Sequence, residues 1–346
     1  MTDRHFFSSL TRISDLETGA FEVVPLERAA WGSGDYVVCE VYSRSLGRQM
    51  EVRSGRSLEL AEADLFVGAL GVRHATLEAT GSWEAVEDDG FMEILTGGGL
   101  VGRLTSRSLI GGDYTRVVYR GHVCRDGRKV TMSDFVPVPS GRTFDIPTIM
   151  IIGTSMSAGK TTAARVIVRR LVSMGLRVGG AKVTGAGRYR DVLSMSDAGA
   201  SWVLDFVDVG LPSSICPEEE FRSRMATLMS LMADRDGDVA VVEVGASPLE
   251  PYNGAAAVEM LEDHVELLVL CASDPYAVVG VMEAFGRRPD LITGITSNTD
   301  AGIALAERLS GVPCLNVRDR RALPALDALL RDALALGDGS AKPGTD

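Results

Sequence analysis

The sequence predicts an α/β chain in which a parallel sheet with helices on both faces is preceded by a smaller β-rich domain. Three observations carry this. From residue 148 onward, short apolar runs alternate with stretches of helical period, as in a sheet built from strand–helix–strand units. Residues 1–136 read mostly as β, with strand-like runs broken by glycine and Asp-Gly. Between them Pro137, Pro139, Ser140, Gly141 and Pro147 mark a linker over 137–147, because prolines at this density demote strand and helix alike.

In the β-rich domain, Tyr36-Val37-Val38-Cys39-Glu40-Val41-Tyr42 has strand composition, and Asp64 to Leu70 is a further apolar stretch. Val117 to Cys124 and Lys129 to Val136 flank Arg125-Asp126-Gly127-Arg128, a hairpin signal. Gly97-Gly98-Gly99 reads as a turn, since no Lys-Thr/Ser and no helix follows it. Arg73, Arg103, Arg107 and Arg116 could face an anion, but solvated strand faces are the simpler reading.

The second domain, 148–336, opens with the apolar run Thr148-Ile149-Met150-Ile151-Ile152-Gly153. The small residues Thr154, Ser155, Ser157 and Ala158 follow, then Gly159-Lys160-Thr161-Thr162. Strand, glycine-containing loop and helix in that order form the P-loop of a nucleotide site, which makes this sheet that of a P-loop NTPase. The loop's N–H groups and the helix N-terminus would hold phosphate, Lys160 would reach the β- and γ-phosphate oxygens, and Thr161 would face Mg2+. The usual spacing puts the first glycine at position 154; here it is Gly153.

The helix after the loop is expected from Lys160 to Met174, with Ala164, Ile167, Val168, Leu171 and Met174 on its apolar face. Strands follow at 177–183, 239–245, 265–272, 291–297 and 313–317, and helices at 193–206, 222–233, 275–285, 300–309 and 322–336. The polar tail 337–346 reads as disordered.

Composition narrows the function. A net charge of −12 disfavours a nucleic-acid binder, which should carry a basic face. No apolar stretch reaches the ~18 residues of a membrane helix, and the N-terminus lacks a signal-peptide core, so a cytoplasmic protein is expected. The five cysteines and four histidines are scattered without metal-ligand spacing.

Ligands in open parallel sheets collect at the carboxyl ends of the strands. Lys182 ends the second strand in Ala181-Lys182-Val183-Thr184-Gly185, and its charge suits a γ-phosphate or a substrate carboxylate. Asp197, in Ser196-Asp197-Ala198 near an expected helix start, is a candidate Mg2+ ligand, with Asp191 its rival. Glu243 closes a buried strand, where a carboxylate is costly unless paired or bound to a cation. Asn298 follows a late strand and offers the donor and acceptor that match the adenine edge. Guanine readers carry Asn-Lys-x-Asp, whereas Thr299 follows here, which favours ATP.

Gly153-Thr154, Gly159-Lys160-Thr161, Lys182-Val183-Thr184-Gly185, Ser196-Asp197-Ala198, Val242-Glu243-Val244-Gly245-Ala246 and Asn298, in this order, resemble dethiobiotin synthetase and its relatives. That resemblance covers about residues 148–317. It implies an ATP- and Mg2+-dependent enzyme acting on a small acidic substrate, kinase- or ligase-like, and a homodimer. It assigns catalytic roles to Lys160, Lys182 and Glu243, metal ligation to Thr161, Asp197 and Glu243, and the adenine contact to Asn298. Val244 replaces a glycine of the pattern, and the leading domain has no counterpart there, so that substrate is not expected. The ordering also resembles a bacterial P-loop family that includes D-glutamate N-acetyltransferases, which keeps a coenzyme A-dependent acyltransferase open. A nucleotide-dependent switch or assembly factor is the remaining alternative.

Overall fold

The computed structural model describes residues 4–45 and 48–336, so the expectation for 337–346 lies outside the described residues. The chain folds as two compact units. One takes the residues up to 138 together with the segments 185–190 and 206–224. The other takes 139–184, 191–205 and the residues from 225 onward. The chain therefore enters and leaves the β-rich unit twice after the linker, which a contiguous reading of the sequence does not provide. Among the described residues no helix is long and apolar enough to cross a membrane.

The second unit is a six-stranded parallel sheet in the order Trp202–Asp205, Val178–Thr184, Val239–Val244, Thr148–Gly153, Val265–Ala272, Leu291–Gly294. Its strands are continuous apolar runs because both faces are covered. On one face Ile149, Ile151, Val241 and Val269 pack with Ala164, Ile167, Val168 and Leu171 of helix Lys160–Ser173 and with Leu326 and Leu330 of helix Leu323–Ala333. Met150 and Leu268 alternate to the other face, where Val258 of helix Gly254–Leu261 lies. That helix was not expected from the sequence.

The expected helix over 193–206 is replaced by helix Tyr189–Ser196 and edge strand Trp202–Asp205. The Trp-Val-Leu run fits a pleated edge better than a helix interior. The expected strand at 313–317 is a single bridge between Ile292 and Cys314. Register in the sheet matters for the site: Lys182 sits opposite Asp205 on one side and Glu243 on the other.

In the first unit Leu65–Leu70, Tyr36–Ser43, Arg116–Arg125, Phe91–Ile94 and Leu100–Arg107 pair in succession. Leu100–Arg107 pairs back to Leu65–Leu70 and closes the ring. Val37, Cys39, Phe66, Met92, Val101 and Val117 fill its core. The Asp126-Gly127 hairpin forms, with Arg125 opposite Arg128. Its second strand ends at Lys129, and Met132–Phe135 is a 3-10 turn fixed by a Thr131–Asp134 capping box. Arg73, Arg103 and Arg107 pair with Glu78, Asp89 and Asp113, so these arginines are internally compensated.

Candidate functional site

The loop between Gly153 and Lys160 turns back over its own strand end. Thr154 N–H donates to Cys271 O at 3.0 Å, and Ser273 N–H donates to Thr154 Oγ1 at 3.1 Å, which ties the loop to the neighbouring strand. Lys160 is buried and donates from Nζ to Ser155 O at 2.7 Å. Its stem crosses Gly153, where a Cβ would lie 2.8 Å from Cδ and 2.9 Å from Nζ. Gly153 is the position the lysine passes over, so a side chain there would collide with it. Ala158 is buried, while Ser157 and Thr162 are exposed at the rim. Burial lowers the Lys160 ammonium below the ordinary lysine value, opposed by the charge of Glu243.

Glu243, brought up by the adjacent strand, is 2% exposed. Thr161 Oγ1 donates to its Oε1 at 3.4 Å. Its Oε2 is buried without a hydrogen-bond partner among the described residues. Burial raises the Glu243 carboxyl, Lys182 and Lys160 pull it down, and Asp191 adds to the rise. Lys182 is buried and forms an ion pair with Asp191. Burial alone would lower Lys182, but Asp191, Glu243 and Asp205 outweigh it and hold it raised. The strand end thus gathers Lys160, Thr161, Lys182, Asp191, Asp205 and Glu243 within one unit. Gly245 lets the backbone close behind Glu243, since a Cβ there would lie 2.0 Å from Thr184 O.

Asp197 does not stand where the sequence reading puts it. It lies just past the end of helix Tyr189–Ser196, its N–H donating to Leu193 O at 2.8 Å, and it is exposed. The acid beside Lys182 is Asp191, because the helix begins at Tyr189 and carries Asp191 in its first turn. Asp205 was missed, since the sequence reading placed it inside a helix. Asn298 is exposed at the end of the 3-10 turn Ile295–Ser297, and Thr299 caps the next helix by accepting from Gly302 N–H at 3.1 Å.

The donor set can be tested against Mg2+. Among the described residues no three His, Cys, Asp or Glu side chains are disposed to hold a metal. Mg2+ commonly takes one or two protein oxygens and fills its shell with phosphate and water. Thr161 Oγ1 beside an orphaned, buried Glu243 oxygen fits that demand.

Strand order, loop and following helix define the P-loop NTPase fold. No protein-family model and no curated protein matches the chain. Among solved structures it is similar to the hydrogenase maturation factor HypB from Archaeoglobus fulgidus, with 15% identity, 55% of this chain and 91% of that one covered, and a TM-score of 0.38. It is also similar to chloroplast FtsY from Physcomitrella patens, with 14% identity, 59% and 68% covered, and a TM-score of 0.36. A DUF1611 family protein from Anabaena variabilis gives 18% identity, 58% and 61% covered, and a TM-score of 0.34.

Proposed function

We propose that the second unit binds a nucleoside triphosphate with Mg2+ and that its hydrolysis switches the chain between two states. Lys160 would leave the Ser155 carbonyl for phosphate oxygens, and Thr161 and Glu243 would hold Mg2+. The metal would supply charge neutralisation at the transferring phosphoryl group. The observation that carries the switch is the buried Lys182–Asp191 ion pair. These two residues bracket the segment 185–190, which belongs to the β-rich unit. Within that unit Glu51 accepts from Arg188 Nε at 3.1 Å and from Tyr189 N–H at 2.9 Å. A γ-phosphate that draws Lys182 from Asp191 would therefore act on both ends of an anchored segment, and the covalent chain would carry the change. Asn298 without the lysine of the guanine pattern favours ATP over GTP.

A second reading is phosphoryl transfer to a small acid, kinase- or ligase-like. The raised, buried Lys182 supports it, since such a cation suits an acceptor carboxylate as well as a γ-phosphate. Coenzyme A-dependent acyl transfer is the third, and titration with acetyl-CoA separates it.

Calorimetric titration with ATP and GTP, with and without Mg2+, tests the proposal. Lys160→Ala is expected to weaken Mg2+-nucleotide binding by at least about a hundredfold, the scale of two charge-assisted hydrogen bonds. Retained affinity overturns the site. Hydrogen exchange at 185–190 that differs between a non-hydrolysable triphosphate and the diphosphate supports the switch. Identical exchange, with turnover stimulated by a small carboxylic acid, selects phosphoryl transfer instead.

A further inference from the structure

In the β-rich unit a cleft of about 970 Å3 lies beside strand His5–Phe7. Arg4, Arg12, Arg53 and Arg56 line it, with Tyr189 and Asp208. Arg12 and Arg53 are fixed in place. Arg12 meets Asp208 at 3.1 Å, with its guanidinium 4.5 Å from the Tyr189 ring centre. Arg53 meets Glu17 at 3.0 Å and donates to Ser14 O at 2.7 Å. Arg4 and Arg56 differ, for among the described residues neither has a carboxylate partner. The two carboxylates of the cleft therefore offset two of its four guanidinium groups. The chain as a whole carries −12, so a positive cleft runs against its own background. Its size suits a small molecule. The planar fork of arginine matches phosphate and carboxylate oxygens.

We propose that this cleft binds a small, multiply charged anion bearing phosphate or carboxylate groups. Arg4 and Arg56 make the direct contacts, and the pinned Arg12 and Arg53 supply the positive wall. A concave wall of one sign concentrates such ligands from solution. This inference stands apart from the nucleotide proposal, because none of these residues belongs to the phosphate loop.

The test uses the full chain carrying Lys160→Ala, so that the phosphate loop does not compete. Pyrophosphate and citrate are titrated separately by calorimetry in Mg2+-free buffer, one probe for phosphate and one for carboxylate. Saturable binding of either probe is expected, at least tenfold weaker once Arg4→Ala and Arg56→Ala are added. Arg128→Ala, an exposed arginine of the Asp-Gly hairpin, should leave the affinity unchanged. Absence of saturable binding of both probes below about 10 mM overturns the proposal. So does an equal loss in Arg128→Ala, which would mean net-charge attraction alone. Both cleft arginines are at the surface, and unchanged melting of their variant confirms that it remains folded.

Discussion

Each unit holds a buried cluster of paired acids and bases, and the two clusters are finished differently. In the β-rich unit Asp35 and His122 are 2% and 0% exposed. Asp35 Oδ2 accepts from Gly32 N–H at 2.7 Å, Lys129 Nζ at 2.8 Å and His122 Nε2 at 3.2 Å. Tyr119 OH accepts from Leu26 N–H at 3.0 Å and is hydrogen-bonded to His122 Nδ1 at 2.5 Å. Each of these side chains has a hydrogen-bond partner inside the unit. In the parallel-sheet unit Lys182 and Asp191 pair, but Glu243 keeps one oxygen buried and unbonded. A completed network serves the fold. An incomplete one leaves free energy that a cation can recover, and this separates the two clusters although both look alike as lists of residues.

The largest loss is expected at Lys182. Lys182→Ala leaves Asp191, Asp205 and Glu243 without their shared cation, and removing one partner of a buried pair costs about 3–5 kcal/mol. Chemical denaturation should show that loss. A cost below about 1 kcal/mol would mean that the cluster is hydrated. Asp35→Asn comes next. It removes the carboxylate charge that faces Lys129 and His122 while keeping the shape, at about 2–3 kcal/mol. Nucleotide affinity, read in the same preparation by calorimetry, should stay at the wild-type value. If it falls tenfold, the Asp35 network is not purely structural.

Legibility in the sequence follows the same division. The parallel strands at 148–153 and 265–272 could be read because continuous apolar runs need no partner to be recognised. Lys160, Thr161, Lys182 and Glu243 were reachable because each ends or follows such a run. Asp205 was not, because a four-residue edge strand was absorbed into a neighbouring helical window. Asp191 is hidden for the same reason, since the periodicity suggests a helix from Leu193 whereas it begins at Tyr189. The closed ring of the β-rich unit depends on the pairing of Leu100 with Ala69, a long-range register that periodicity does not encode. The assignment of 185–190 and 206–224 to that unit is likewise a packing outcome with no local signal.

The smallest expected effect is the sharpest, because its sign decides what Glu243 is for. Burial raises this carboxyl above its ordinary value, and the two lysines only partly oppose it. A group that holds its proton more tightly when folded stabilises the fold below the unfolded value, about 4.3, and loses that contribution as pH rises through the folded one. Glutamine does not titrate. Glu243→Gln should therefore melt above wild type in Mg2+-free buffer at pH 8, by on the order of a few degrees, with the gap narrowing toward pH 4. Mg2+ with nucleotide should raise the wild-type midpoint more than that of the variant, since only the charged form repays its burial by holding the ion. Scanning calorimetry across pH reads both effects. A variant that melts below wild type at pH 8 without ligand would show the ionised carboxylate to be a structural partner of Lys182, and the contrast with the Asp35 network would then disappear.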